Sequence, residues 1–139
     1  MRKKILSFSA CLLSVILLLT NIAFAAMPPT VEPMYDNADR VSASINISST
    51  GCATCAGTIV LHGGVKANVT LTLQKSKNGT TGWGDVKSWT DSGFYSLSIN
   101  EDYYVMSGYY YRVKLVAKIY DSNNKLLETI QESSPNRYY

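Results

Sequence analysis

The stretch that most constrains the fold is residues 109–119, where apolar and charged side chains alternate. One set of positions is apolar, namely Tyr111, Val113, Leu115, Ala117 and Ile119, and the other holds Arg112, Lys114 and Lys118, with Val116 the exception. Successive side chains of a β-strand point to opposite faces, whereas a helix would spread these charges around its surface and bury some of them. The pattern therefore predicts the central, half-buried strand of an all-β domain.

Further strands are predicted at residues 41–48, 53–61, 66–75, 83–90, 94–99 and 125–132, and residues 83–90 are expected at a sheet edge. The inward sets are Val41, Ala43, Ile45 and Ile47, then Cys55, Gly57, Ile59 and Leu61, then Ala67, Val69, Leu71 and Leu73. For the last strand, either Leu126, Glu128 and Ile130 or Leu127 and Thr129 face the core. About seven short strands separated by turn signals, including one at residues 100–102, indicate an antiparallel β-sandwich.

The chain begins with the features of a secretory signal peptide. A basic start at residues 2–4 precedes a mostly apolar run at residues 5–22, and Ala23-Phe24-Ala25 provides a cleavage pattern. We predict cleavage after Ala25, with Ala26 as the second choice and an uncleaved membrane anchor as the alternative. Residues 26–37 contain three prolines and are predicted as an extended arm, residues 38–132 as the sandwich, and residues 133–139 as an exposed tail.

The charge balance depends on this leader. The chain has 13 Lys+Arg and 10 Asp+Glu, and removal of Arg2, Lys3 and Lys4 leaves 10 of each. The processed chain is then formally neutral, which argues against nucleic acid as a partner because such binding needs a basic surface.

The cysteines and the single histidine form no recognisable catalytic pattern. Cys52 and Cys55 form a CxxC at the start of a predicted strand, whereas a redox motif needs its first cysteine at a helix N-terminus. A disulfide between them requires a turn or bulge near Gly51, because residues three apart on a strand face opposite ways, and two free thiols are the alternative. Together with His62 they provide three zinc ligands at most, and His62 itself is expected in an exposed turn. We predict no metal site, no cofactor and no catalytic residue.

The aromatic side chains are the strongest candidates for binding. The chain has 10 Tyr, 3 Phe and 2 Trp. Outward-facing Tyr104 or Tyr110, with Trp83 or Trp89, would form a flat platform of the kind on which sugars stack, and Tyr and Trp are also favoured at protein interfaces. The alternative is structural, since aromatic pairs on neighbouring strands stabilise a sheet. Tyr111 faces inward and is expected to be a corner tyrosine whose hydroxyl caps a nearby loop.

The chain also resembles known proteins at two levels. Residues 71–79 (LTLQKSKNG), Trp83, residues 87–89 (KSW) and residues 108–113 (GYYYRV) resemble a family of small exported proteins from clostridia-like Gram-positive bacteria. That family has no assigned activity, so the resemblance implies export and no site residue. The Tyr-x-Val-x-Leu strand followed by a hairpin is similar to the penultimate strand of fibronectin type III and immunoglobulin-like modules, which implies their fold alone.

Taken together, the sequence favours a secreted or envelope-associated β-sandwich that acts as a non-catalytic binding module. A cell-surface protein or a carbohydrate is the expected partner. Contact with a membrane is expected only through the signal peptide before cleavage. The alternatives are a small secreted thiol-active or hydrolytic enzyme that uses Cys52 and Cys55, and a secreted toxin or inhibitor.

Overall fold

The computed structural model describes residues 34–139, so the predicted signal peptide and the first part of the proline-containing arm lie outside the described residues. The described part consists of eight strands: β1 (Ala38–Ile47), β2 (Cys52–Leu61), β3 (Lys66–Ser76), β4 (Gly84–Phe94), β5 (Ser96–Tyr104), β6 (Tyr110–Tyr120), β7 (Leu126–Ser133) and β8 (Arg137–Tyr138). Residues 34–139 include no helix long and apolar enough to span a membrane.

The strands form two antiparallel sheets. One sheet has the order β1-β2-β5, and the other has the order β4-β3-β6-β7, with β8 pairing beside the start of β6. Two antiparallel sheets with no helix among the described residues confirm the predicted all-β, sandwich-like fold. The segment 109–119 is central as expected, because β6 pairs with β3 on one side and with β7 and β8 on the other.

The core lies between the two sheets, where the alternation along the strands places the apolar side chains. Tyr111, Val113, Leu115, Ala117 and Ile119 of β6 are all buried, as are Ala67, Val69, Leu71 and Leu73 of β3. Gly57 of β2 allows a close approach here, since a Cβ at that position would lie 2.7 Å from Leu71 Cδ1 and 2.8 Å from Leu115 Cδ1. The inward sets predicted from the sequence are therefore the sets that form the core.

Tyr111 occupies the corner position that the sequence predicts. Its ring is buried, and its hydroxyl donates a hydrogen bond of 2.8 Å to the carbonyl of Met106, just before β6. Tyr35 packs against the core at the start of the described residues, and Asn37 follows it with two hydrogen bonds to the Glu128 carboxylate at 3.0 and 3.1 Å. These contacts attach the described end of the arm and the loop before β6 to the sandwich.

The structure differs from the sequence predictions at β5. The expected turn at residues 100–102 is wrong, because Asn100, Glu101 and Asp102 pair in register with Ala56, Cys55 and Thr54 of β2. The strand continues to Tyr104, since pairing along the whole of β2 overrides the turn preference of these polar residues.

The C-terminal segment also differs from expectation. In β7, Glu128 pairs with Ile119 and Ile130 is buried, so these two members of the first candidate set are on the core side, whereas Leu126 of that set pairs with the outward Tyr120. A register shift at the start of β7 leaves Leu126 and Leu127 exposed. The tail expected to be exposed contains β8, and Ser134 within it is buried and accepts a hydrogen bond of 3.0 Å from the Val113 amide.

Candidate binding face

The outward surface of the larger sheet is the part of the molecule on which polar, charged and aromatic side chains converge. We call it the five-stranded face; it consists of Lys66, Asn68, Thr70, Thr72, Gln74 and Ser76 of β3, Asp85, Ser88, Thr90, Ser92 and Phe94 of β4, Tyr110, Arg112, Lys114, Val116, Lys118 and Tyr120 of β6, Leu126, Thr129, Gln131 and Ser133 of β7, and the adjoining Trp83 and Tyr138.

The opposite outward surface belongs to the smaller sheet. We call it the three-stranded face; it consists of Arg40, Ser42, Ser44 and Asn46 of β1, Cys52, Thr54, Ala56, Thr58 and Val60 of β2, and Ser96, Ser98, Asn100, Asp102 and Tyr104 of β5.

The four aromatic residues proposed as a platform do not lie together. Trp83 and Tyr110 both belong to the five-stranded face, on either side of Arg112. Trp89 pairs with Leu71 and packs against the core, so its expected outward position is wrong. Tyr104 is 74% exposed but pairs with Cys52 on the three-stranded face. Only one pair of the predicted set therefore shares a surface.

Trp83 and Arg112 form a packed and hydrogen-bonded cluster on the five-stranded face. The Arg112 guanidinium carbon lies 4.2 Å from the centre of the Trp83 ring, and Arg112 Nε donates to Gln74 Oε1 at 2.9 Å. Gln74 Nε2 in turn donates to Asp85 Oδ1 at 2.8 Å. A stacked and hydrogen-bonded guanidinium has little rotational freedom left, so Arg112 is held in place before any ligand arrives.

The burial of Gln74 in this cluster is not predicted from the sequence. Alternation along β3 predicts that Gln74 points outward and is exposed; it does point outward, opposite Arg112, but it is only 8% exposed. The register shift between β3 and β4 at this position brings Asp85 opposite Gln74. Pairing across strands, which no single strand pattern contains, builds the cluster.

Tyr110 supports the loop between β3 and β4. A Cβ placed on Gly79 would lie 2.8 Å from Tyr110 Cγ, so the ring rests directly on the glycine backbone. The ring of Tyr138 is 5.0 Å away on another side, and Asn136 Nδ2 donates to the Gly79 carbonyl at 2.8 Å. Tyr110 therefore has the structural role of an aromatic pair and leaves little of its ring for a ligand.

The middle of the five-stranded face is open and rich in hydroxyl and amide groups. Thr72 Oγ1 and Ser88 Oγ share a hydrogen bond of 2.9 Å, and Thr70 lies opposite Thr90 in the next row. A shallow depression of about 470 Å³ follows β3 and β4 from Thr70 to Asn68 and Ser92. A second open cleft, of about 550 Å³, lies between the edge strands β4 and β5.

The two cysteines are free thiols on opposite sides of a regular strand. Cys55 points into the core and is fully buried, while Cys52 lies on the three-stranded face and is half-buried. β2 pairs without a bulge through both positions, so the turn that a disulfide would require is absent from this strand. Burial, with smaller contributions from Asp102 and Cys52, raises the pKa of the Cys55 thiol to about 12.

His62 lies in the turn after β2, as the sequence predicts. Its Nε2 is 2.9 Å from Asp39 Oδ1, and its Nδ1 is 3.0 Å from the carbonyl oxygen of Asp36, so the ring links this turn to the start of β1. Among residues 34–139, no three side chains of His, Cys, Asp or Glu are grouped so that they could hold a metal ion.

No protein-family model matches this chain, and no curated protein matches it either. The resemblance to small exported bacterial proteins therefore stays a prediction, and arguments about function start from the geometry above.

Proposed function

We propose that the protein is a non-catalytic binding module, exported to the cell surface or its surroundings, that holds a polysaccharide on the five-stranded face. The observation that carries this proposal is the array of outward Thr, Ser, Asn and Gln side chains on β3, β4 and β7, with the Trp83–Arg112 cluster at one end. The proposed export rests on the signal-like leader.

The chemistry of this array suits sugars. A hydroxyl or side-chain amide both donates and accepts hydrogen bonds, which matches the hydroxyl groups of a sugar ring. The half-buried indole of Trp83 offers an apolar edge against which the C–H groups of a sugar would pack. Because the face is open and its central strands β3 and β6 are paired on both sides, a long chain can lie across it without a conformational change.

The thiol-active alternative has less support. Cys55 is buried in the core and its raised pKa keeps it protonated near neutral pH, whereas a reactive cysteine is an exposed thiolate. Cys52 then has no partner thiol within reach on its own face of β2.

Affinity electrophoresis of the purified protein through gels that contain a neutral or an acidic polysaccharide tests the proposal. We expect retardation by at least one polymer, and we expect Thr70→Ala/Thr72→Ala to weaken it by about fivefold, because two hydroxyls in the centre of the array are lost.

The matched control is Ser42→Ala/Ser44→Ala, which removes two exposed hydroxyls from the three-stranded face. This variant should bind like the unmodified protein, and thermal unfolding of both variants separates lost contacts from lost structure. Absence of retardation by every polymer, or equal losses in the two variants, would contradict the proposal.

A further inference from the structure

Four cations follow the central part of the five-stranded face. Arg112, Lys114 and Lys118 project outward from β6, and Lys66 projects from β3 opposite Tyr120. Alternate residues of a strand are separated by about 7 Å, so the three cations of β6 form a line of about 20 Å with a gap at Val116.

These cations have no acidic partners among the described residues. Within residues 34–139 the one ion pair is that between His62 and Asp39, so no lysine or arginine there lies within 4.0 Å of a carboxylate. Asp85 is the single acid among the outward residues that define the five-stranded face, and its carboxylate accepts a hydrogen bond from Gln74. Asp91, opposite the inward Val69, also lines the depression between β3 and β4. With four cations and one carboxylate, the face has a formal charge of +3.

The rest of the described chain offsets this charge. Residues 34–139 contain 10 Lys+Arg and 9 Asp+Glu, so the acids are concentrated away from the five-stranded face. The outward charges of the three-stranded face are Arg40 and Asp102, which cancel formally. A nearly neutral molecule with a positive surface of this kind attracts an anionic polymer to that surface.

We propose that the ligand of the five-stranded face is a linear acidic polysaccharide, with its chain lying along β6 and its anionic groups against Arg112, Lys114 and Lys118. This inference rests on the proposed function and adds the ligand's charge, its extended shape and the residues that select it. The anionic group is a carboxylate or a sulfate ester, since either pairs with lysine and with the fork of arginine.

Arg112 is the fixed point of this arrangement. Arg112 Nε donates a hydrogen bond to Gln74 Oε1, and the guanidinium group packs on the Trp83 ring. Its terminal nitrogens make no hydrogen bond with another described residue. They are free to form a bidentate contact with a carboxylate at low entropic cost, whereas the lysines act as mobile charges along the chain.

A polysaccharide fits this surface better than a nucleic acid does. The hydroxyl and amide groups on both sides of the cation line match sugar hydroxyls, whereas the Tyr110 ring rests on Gly79 and Arg112 stacks on the face of the Trp83 ring. Binding of a single-stranded nucleic acid depends on exposed aromatic stacking and on a more basic domain.

The test measures the affinity of the purified protein for polygalacturonate, dextran sulfate, unsubstituted dextran and single-stranded DNA at one low salt concentration. Lys114→Gln/Lys118→Gln removes two cations from the face, and Arg40→Gln/Lys125→Gln removes two cations from elsewhere. We expect the face variant to lose about tenfold or more in affinity for the acidic polysaccharides and to show a weaker salt dependence, and the control to change by about twofold or less.

The comparison of polymers distinguishes failure of the acidic-ligand inference from failure of the proposed sugar-binding function. Binding of dextran as tightly as of the acidic polymers, with no effect of either double variant, would overturn the charge argument and leave the sugar-binding function standing. Binding of none of the three polysaccharides would overturn both, and a clear preference for DNA would overturn the ligand class. The relative affinity for polygalacturonate and dextran sulfate identifies the anionic group.

Length dependence is a second readout that a merely structural role of the lysines would not produce. Affinity for galacturonate oligomers should rise until the oligomer spans Arg112 to Lys118, about 20 Å, and change little beyond that length. Affinity that is independent of length would contradict an extended ligand along β6.

Discussion

The outer surfaces of the two sheets are built by the same alternation of inward and outward residues, yet they differ in what they expose. The three-stranded face carries small side chains such as Ser42, Ser44 and Ala56, and its outward charges balance. The five-stranded face carries unpaired cations on β6 and a cluster in which Arg112 is fixed by Trp83 and Gln74. The first surface protects a core, whereas the second also presents a pattern of charge and hydrogen-bonding groups.

The difference indicates that the outward side chains determine which face of the sandwich is suited to binding. Sheet pairing fixes the backbone of both faces, so the side chains alone distinguish them. Burial of Gln74 under Arg112 is the kind of arrangement that only cross-strand partners can stabilise, because an unpaired buried amide would be destabilising. The three-stranded face has contacts such as Thr54 Oγ1 to Asp102 Oδ1 at 2.7 Å, but these are exposed.

The largest effect on stability is expected at the loop that borders the five-stranded face. Gly79 has φ of 73°, and a Cβ there would meet the Tyr110 ring at 2.8 Å. Gly79→Ala should lower the free energy of unfolding by about 2–4 kcal/mol, since a left-handed backbone and a ring displacement both cost energy.

Gly82→Ala is its matched control. Gly82 has φ of 65° and no atom within 4 Å of a Cβ, so only the backbone cost of about 1–2 kcal/mol applies. Urea denaturation compares the two variants, and equal losses would mean that Tyr110 does not rest on the loop.

The second prediction concerns stability at alkaline pH and compares Cys55, in the core, with Cys52, on the three-stranded face. The raised pKa of Cys55 stabilises the folded state below the unfolded pKa of 9.0, and this contribution is lost as the pH rises toward about 12. The unfolded chain releases its proton first, so stability should fall by up to about 1.4 kcal/mol per pH unit across this window.

Comparison with Cys55→Ala isolates this effect from the titration of tyrosines and lysines. The variant should lose the Cys55 part of the alkaline slope, while Cys52→Ala should keep it. Identical slopes in all three proteins between pH 9 and pH 11 would contradict the burial of the Cys55 thiol.

The third prediction concerns the polar cluster. Gln74→Ala removes the partner of Arg112 Nε and of Asp85, and should cost about 1–3 kcal/mol of unfolding free energy. Thr54→Val removes one exposed hydrogen bond from the three-stranded face and should cost about 1 kcal/mol or less. Chemical denaturation of both variants gives the comparison, and a loss for Gln74→Ala no larger than that for Thr54→Val would contradict a stabilising role of the polar cluster.

The smallest effect is expected from modification of the three-stranded face. A maleimide attached to Cys52 should leave polysaccharide affinity within about twofold, because this thiol lies on the surface away from the cations. The same label on Ser88→Cys, made in a Cys52→Ala background, should abolish binding because Ser88 lies beside Thr72 on the five-stranded face. Loss of binding in the Cys52-labelled protein would indicate that the wrong face has been assigned.

Much of the fold is predictable from single strands. The alternation in β1, β2, β3 and β6 identifies the buried side of each strand. Alternate side chains of a strand share one face, so the apolar set must be the set that faces the core. The corner role of Tyr111 is predicted in the same way. The register of β7 is not, since both of its candidate sets contain apolar residues.

The candidate site is less predictable because it depends on pairing between distant segments. Outward positions for Arg112, Lys114 and Lys118 follow from the alternation, but their proximity to Trp83, Gln74 and Asp85 depends on a register shift between β3 and β4. The position of Trp89 fails for the same reason, since its orientation is set by its partner Leu71. Tyr104 lies at the end of β5, beyond the predicted strand at residues 94–99, because the polar residues before it resemble a turn.

The most direct measurement is a two-dimensional NMR titration of the labelled protein with a galacturonate oligomer long enough to span β6. We expect the largest amide shifts at Thr72, Arg112, Lys114 and Lys118, together with a shift of the Trp83 indole N–H and little change at Trp89. Shifts centred instead on Ser44, Thr54 or Tyr104 of the three-stranded face, or the absence of any shift at saturating oligomer, would contradict binding on the five-stranded face.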